Sequence, residues 1–336
     1  MAHRSLRVSV LGGGSWGTTV AHVLAGRAPT LLWARDGAVV AEINAHRTSQ
    51  RYLPDLKLHK DLRATGSLAE AAAAADVLIL GVPSHAMRKT AAGVAMHIRP
   101  WVPVISLAKG FEIGTGLRMT EVIGQELPGH PLGVLTGPNL AREIAGGMAA
   151  ASVIAMEDEV IVGQLQRLFR GGLFRVYRNT DLVGSELGGA LKNVFAIAAG
   201  MGDGLGAGDN TRSALLTRSI AEMTRLGVAL GGKAETFAGL TGLGDLITTC
   251  TSPQSRNRTV GFQLGQGRAL PDIIEGMNQV AEGVKSCAPI YELAQSLNLE
   301  VPIISEVYKV IHEGRSPQAA FRGLLRRGAR SEAEPG

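Results

Sequence analysis

Val8-Ser9-Val10-Leu11-Gly12-Gly13-Gly14-Ser15-Trp16-Gly17-Thr18 joins a short apolar run to a glycine turn and then to a helix-forming segment, Thr18 to Leu24. The order is strand, turn, helix. Gly12, Gly14 and Gly17 stand at G-x-G-x-x-G spacing. The first allows a tight turn, the second lets a pyrophosphate approach the backbone, and the third lets helix and strand pack closely. A helix starting there turns unpaired N–H groups and the positive end of its dipole toward a bound anion. A bare turn between buried elements can carry the same spacing. The flanking strand and helix turn it into a dinucleotide site.

After the first helix, Thr30-Leu31-Leu32-Trp33-Ala34 reads as a second strand with Arg35-Asp36 at its end. A carboxylate there suits the ribose 2′-OH of NAD and an arginine the 2′-phosphate of NADP, so the choice between NAD and NADP stays open. Leu68 to Ala75 is helical by propensity. The runs Asp76 to Ser84, Val102 to Leu107 and Leu132 to Thr136 lack alternation and read as buried parallel strands. Ala108-Lys109-Gly110 follows the second run, and Gly137-Pro138-Asn139-Leu140-Ala141 opens a helix after the third. Ligands in open parallel sheets sit outside the carboxyl ends of the strands, so these segments are expected to converge on one crevice. Ser152 to Met156 and Phe174 to Tyr177 would complete the sheet.

From about Asp181 the pattern turns helical: Glu186 to Gly200, Arg212 to Leu226, Ala281 to Leu297, Ile303 to His312 and Gln318 to Leu325. Met201 to Asp209 and Gly239 to Leu246 read as glycine-rich connections, either flexible or bringing backbone close to a ligand. Lys192 lies in a nearly uncharged helical stretch, where a lysine must either reach back to solvent or face a cleft. In a cleft, desolvation and neighbouring positive charge would lower its pKa toward a useful range. Asn193 beside it could donate a hydrogen bond. Ser255-Arg256-Asn257-Arg258, after Asp245 and Thr249, offers a forked donor that suits a phosphate, although such a string alone also fits a solvated loop.

At 336 residues the chain exceeds one core of ordinary size, and two domains are expected. Apolar residues make up 45% and charged residues 19%, the composition of a soluble globular protein. The net charge of +5 raises the question of nucleic acid, but the basic residues are scattered and aromatics are only 4%, too few for stacking platforms. An acidic small substrate fits the same balance. Cys250 and Cys287 form no C-x-x-C, so neither a disulfide framework nor a metal site is indicated, and a reducing cytoplasm is the expected setting. The glycines at 12 to 14 break the first apolar run too early for a signal peptide, and no stretch is long enough to span a bilayer. Zinc-protease, serine-hydrolase and P-loop patterns are missing.

Six motifs, taken in order, resemble the bacterial NAD(P)-dependent glycerol-3-phosphate dehydrogenases. They are the glycine turn with Ser15-Trp16, Leu107-Ala108-Lys109-Gly110, Thr136-Gly137-Pro138-Asn139-Leu140-Ala141, Leu187 to Asn193, Ala238 to Leu246, and Ser255 to Arg258. The resemblance runs from about Arg7 to Leu325. It implies an α/β N-terminal Rossmann domain with a doubly wound, mostly parallel sheet over residues 1–180 and an all-α C-terminal domain over 181–330; the tail Ser331-Glu332-Ala333-Glu334-Pro335-Gly336 reads by itself as disordered. The resemblance also implies reduction of dihydroxyacetone phosphate to sn-glycerol 3-phosphate for phospholipid synthesis by a cytoplasmic homodimer that inserts in no membrane and binds no nucleic acid.

Carried over residue by residue, Lys192 is the proton donor and acceptor, with Lys109 supporting substrate and cofactor. Gly137, Asn139, Asp245, Ser255, Arg256 and Asn257 match substrate positions, with Asn193 and Thr249 as further donors. Ser15, Trp16, Arg35, Ala141, Val280 and Glu282 match cofactor positions, beside Gly12, Gly14, Gly17 and Asp36 already read from the turn and the strand end, and Arg256 also touches the cofactor. The chain departs from the pattern at Asn139-Leu140, where many bacterial members carry Ser or Thr followed by Phe. A related two-domain hydroxyacid or 6-phosphogluconate-type dehydrogenase, or a non-catalytic dinucleotide-binding sensor, would share the glycine turn.

Overall fold

The computed structural model describes residues 5–277 and 281–326. The chain forms two compact units. One extends to Leu182 but leaves out Lys109–Arg118, and the other takes that excursion together with the chain from Val183 onward.

The first unit is built on one sheet of β1 (Val8–Leu11), β2 (Thr30–Trp33), β3 (Arg63–Thr65), β4 (Val77–Leu80), β5 (Val104–Ser106), β6 (Leu132–Thr136), β7 (Ala150–Met156) and β8 (Phe174–Asn179). Their order is β3-β2-β1-β4-β5-β6-β7-β8. The first six are parallel, β7 pairs antiparallel with β6 (Leu135 opposite Ile154), and β8 is parallel to β7. Runs such as Val8–Leu11 and Val77–Leu80 are buried at every position, as strands covered on both faces require. The connecting helices are α1 (Ser15–Ala25), α2 (Gly37–His46), α3 (Leu68–Ala74), α4 (Met87–Val94), α5 (Met119–Glu126), α6 (Ala141–Ala145) and α7 (Glu159–Arg167). Asp36, Ser67 and Asp158 cap three of them through side-chain oxygens that accept N–H bonds from the first turn. The chain order turns at β1, which pairs with β2 on one side and β4 on the other. Loops leaving such a switch point diverge and leave a crevice at the carboxyl ends.

The second unit is helical: α8 (Leu182–Gly204), α9 (Asp209–Ala229), α10 (Ala234–Phe237), α11 (Asp245–Thr251), α12 (Arg256–Gly265), α13 (Leu270–Glu275), α14 (Glu282–Ser296), α15 (Pro302–His312) and α16 (Pro317–Leu325). The α8 helix is the axis of this unit, buried without interruption from Gly184 to Met201, which is why its sequence is mostly apolar all round instead of striped. Ser185, Glu186, Lys192 and Asn193 are buried polar residues within it. Phe195 and Phe237 are the unit's largest fully buried side chains.

Both glycine-rich connections differ from their sequence reading. Met201 to Gly204 continues α8, and Leu240–Gly244 is a π-helical turn leading into α11. The glycines there serve close packing. A Cβ on Gly204 would lie 3.0 Å from the Gly265 Cα, and one on Gly265 would lie 2.6 Å from the Met201 carbonyl oxygen, so α8 and α12 touch through backbone. A Cβ on Gly188 would likewise sit 2.5 Å from the Thr241 carbonyl oxygen, which presses the π turn onto α8.

Candidate active site

In the first unit the glycine turn has three distinct parts. Gly12 adopts φ +132°, and a Cβ there would lie 2.5 Å from the Gly81 carbonyl oxygen. A Cβ on Gly17 would collide with the Gly12 carbonyl oxygen, so helix and strand approach backbone to backbone. Gly14 is different: a Cβ there meets nothing within 4 Å. It forms the N-cap of α1 without a side-chain cap, which leaves the first N–H groups of the helix for a ligand.

The neighbours of that turn are arranged around the same helix. Ser15 Oγ donates to the Tyr52 carbonyl oxygen at 3.1 Å, and Thr19 Oγ1 donates to the Ala141 carbonyl oxygen at 3.1 Å, tying the start of α6 to α1. Trp16 packs edge-on against Phe174 with ring centroids 6.3 Å apart. The Trp16 indole N–H and both amide atoms of Asn139 are buried with no protein partner among the described residues. Buried polar groups left that way are costly unless something else satisfies them. Gly137 takes φ +131° against Ser152. An open backbone cradle at a helix start, with orphaned polar atoms beside it, fits the pyrophosphate and adjoining groups of a dinucleotide. Arg35 and Asp36 are exposed. The Asp36 carboxylate accepts from the Ala38 N–H at 2.9 Å and pairs with Arg51 at 3.4 Å, so it is already engaged at the start of α2.

In the second unit, residues far apart in sequence meet around one carboxylate. Asp245, 1% exposed, accepts from Lys192 Nζ at 2.5 Å through Oδ1 and from Lys109 Nζ at 2.6 Å through Oδ2. Thr249, one turn on along α11, accepts from Lys192 Nζ at 2.5 Å and donates to Asp245 at 3.3 Å. Lys192 is therefore buried and paired, and does not reach back to solvent. Of its three N–H donors, two are held this way, and among the described residues the third finds no acceptor. Its pKa is lowered to about 8: burial is the main cause, Asp245 opposes it, and Lys109 adds to the lowering.

A second network holds the frame. The Asn193 amide donates to the Lys109 carbonyl oxygen at 3.2 Å and accepts from Asn257 at 2.9 Å, while Asn257 accepts from the Gly283 N–H at 2.9 Å. Ser255 caps α12 by accepting from the Arg258 N–H at 3.2 Å. Arg256 opens that helix, exposed, in the field of the Glu282 carboxylate. Val280 lies outside the described residues. Phe111, buried in the helical core, and Arg118, paired with Glu186, carry no motif and escape sequence reading, because their partners lie on other elements.

Two family models cover most of the chain, the NAD-dependent glycerol-3-phosphate dehydrogenase N-terminus over residues 7–162 and its C-terminus over residues 181–322. The chain belongs to the NAD-dependent glycerol-3-phosphate dehydrogenase family. It is 59% identical to glycerol-3-phosphate dehydrogenase [NAD(P)+] 2 of Sphingopyxis alaskensis, across 98% of this chain and 99% of that protein. It is 54% identical to the glycerol-3-phosphate dehydrogenase [NAD(P)+] of Mycobacterium avium, across 96% of this chain and 95% of that one. Among solved structures, the glycerol-3-phosphate dehydrogenase of Coxiella burnetii superposes with a TM-score of 0.92 at 36% identity, across 96% and 99% of the two chains. A ketopantoate reductase of Ralstonia eutropha, at 15% identity and a TM-score of 0.57, shares the fold alone. Among the described residues no helix is long and apolar enough to cross a membrane.

Proposed function

We propose that the protein catalyses the reversible reduction of dihydroxyacetone phosphate to sn-glycerol 3-phosphate with NADH or NADPH. The observation that carries this reading is Lys192: a buried ammonium, fixed by Asp245 and Thr249, with one N–H left for a substrate oxygen. The nicotinamide supplies the hydride when bound. As negative charge develops on the carbonyl oxygen, Lys192 gives it a proton, and the neutral amine stays held between Thr249 and Asp245. Lys109 keeps Asp245 neutralised throughout, so the cluster is cationic while Lys192 carries its proton, which suits an anionic substrate. In the reverse direction the neutral Lys192 takes the hydroxyl proton.

The remaining roles follow from the family pattern. Arg256, with Ser255 and Asn257, holds the substrate phosphate, and Arg256 also meets the cofactor. Gly137, Asn139, Asn193 and Thr249 line the substrate. Gly12, Gly14, Ser15, Trp16, Gly17, Arg35, Asp36, Ala141, Val280 and Glu282 hold the dinucleotide. The resemblance also supports a cytoplasmic homodimer supplying glycerol phosphate to phospholipid synthesis, and sedimentation of the purified protein tests the dimer. The deciding assay is oxidation of NADH and of NADPH with dihydroxyacetone phosphate. Turnover establishes the reaction, whereas binding without turnover would leave a dinucleotide sensor.

A further inference from the structure

Lys109 does not belong to the unit that surrounds it in sequence. The segment Lys109–Arg118 leaves the first unit after Ala108 and is part of the helical one. It closes on itself as a small hairpin: Phe111 and Arg118 form an antiparallel bridge, the Glu112 N–H donates to the Leu117 carbonyl oxygen at 2.9 Å, and the Gly116 N–H donates to the Glu112 carbonyl oxygen at 3.0 Å. The two residues of that bridge are also its two anchors. Phe111, 2% exposed, is part of the helical core, and Arg118 donates to Glu186 of α8 at 2.8 Å.

Glu186 is almost fully buried, and a buried ion pair is a poor way to gain stability compared with an apolar contact of the same volume. What it does supply is direction. Phe111 holds the hairpin by burial of its ring, whereas a guanidinium on a carboxylate adds directed hydrogen bonds that fix orientation. Glu186 stands on the same helix as Lys192, six residues earlier, or about 9 Å along the axis. The Lys109 backbone is gripped close by through Asn193, and its ammonium sits at the end of a flexible stem whose reach depends on where that backbone is held.

We propose that the Arg118–Glu186 pair is a clasp that positions Lys109 on Asp245 beside Lys192. Neither residue touches the reacting atoms; they act through the hairpin. This rests on the reading that Lys192 exchanges the proton. The groups facing the Lys192 ammonium are Asp245 and Cys250 of α11 and Lys109 of the hairpin. With the clasp open, Lys109 recedes and Asp245 serves Lys192 alone. Both changes favour the charged form of Lys192 and move its titration to higher pH.

The test is Glu186→Gln in the full chain, with two readouts. In hydrogen exchange, the hairpin amides of Glu112 and Gly116 should open about ten-fold faster, with α15 keeping its wild-type rates. In the pH profile of glycerol 3-phosphate oxidation, the Lys192 limb should move by about half a unit or more to alkaline pH. In a Lys109→Met background the same substitution should add no displacement. Unchanged hairpin exchange, or an equal displacement with and without Lys109, overturns the clasp. Should the single variant not fold, Arg118→Met combined with Glu186→Gln removes both charges together and carries the same two readouts. A wild-type protein unable to oxidise glycerol 3-phosphate would refute the reaction instead, and the exchange measurement would still decide the clasp.

Discussion

Around Gly14, the groups left for an anion are main-chain N–H groups at the start of α1, exposed because no side chain occupies the space above them. Around Lys192, they are side chains drawn from the hairpin, α8 and α11 and held by the Asp245 carboxylate. The first arrangement depends on what is missing at three positions, and the second on what is present at many. A backbone cradle can bind an anion but has no proton to give. A buried lysine can do both, and desolvation sets the pH at which it does. The two regions should therefore fail differently when altered.

The largest expected effect is at Lys192. Lys192→Ala should keep its fold and its dinucleotide affinity while losing about 10²–10⁴-fold in turnover, the usual worth of positioned proton transfer; near-normal turnover in a folded variant would remove Lys192 from the chemistry. The pH dependence follows with a definite sign. Burial brings the ammonium down to about 8, so glycerol 3-phosphate oxidation, which needs the neutral amine, should rise with pH up to that region and level off above it. A profile still rising steeply at pH 10 would mean that the titrating group is an ordinary lysine.

Next comes Arg256→Ala, expected to cost roughly 10–10²-fold in kcat/KM for dihydroxyacetone phosphate, the worth of a charge-assisted bond. Remote binding of the phosphate positions the carbonyl as well as retaining the substrate, so both kcat and KM should suffer. Unphosphorylated dihydroxyacetone, a poor substrate throughout, should be affected much less. Parallel losses on the two substrates would assign Arg256 to the scaffold.

Gly14→Ala tests the cradle from the other side. Because a Cβ at position 14 meets no protein atom within 4 Å, thermal stability without cofactor should be unchanged. Dinucleotide affinity, however, should drop about ten-fold, or about 1.4 kcal/mol, since the methyl group occupies the space through which the pyrophosphate approaches. Tight binding in this variant would place the pyrophosphate elsewhere.

The same contrast accounts for what the sequence made legible. Strands such as Val8–Leu11 and Val77–Leu80, and the turn after the first of them, are local patterns whose physics lies within a few residues. β3 escapes sequence reading because Arg63-Ala64-Thr65 has no apolar run; it is a strand only because β2 lies beside it. Gly204 reads as part of a loop because the helix that requires it small, α12, is distant in the chain, whereas Gly242 is crowded by the Phe237 backbone five residues before it, a closeness that no periodicity announces. The sequence leaves Lys192 two fates, and the choice between them lies in Asp245, 53 residues away. Lys109 is 136 residues from that same carboxylate, and no periodicity could join them. The lysine cluster could be drawn from the sequence through family resemblance, whereas the phosphate turn could be drawn from spacing.

The smallest expected effect concerns cofactor choice, at Arg35. NAD and NADP differ by one phosphate on the adenosine ribose, and Arg35-Asp36 at the end of β2 offers a cation for the phosphate and a carboxylate for the free hydroxyl. The carboxylate is partly spoken for. It caps α2 through the Ala38 N–H and pairs with Arg51, so its hold on a ribose hydroxyl competes with two existing partners. Arg35 is exposed, and an exposed ionic contact is worth about 1 kcal/mol or less. Arg35→Ala should therefore weaken NADPH use by about five-fold at low salt, leave NADH use nearly unchanged, and lose its effect as ionic strength rises. Equal losses with the two cofactors would show that Arg35 supports the turn itself and not the phosphate. A loss confined to NADH would return the discriminating role to Asp36.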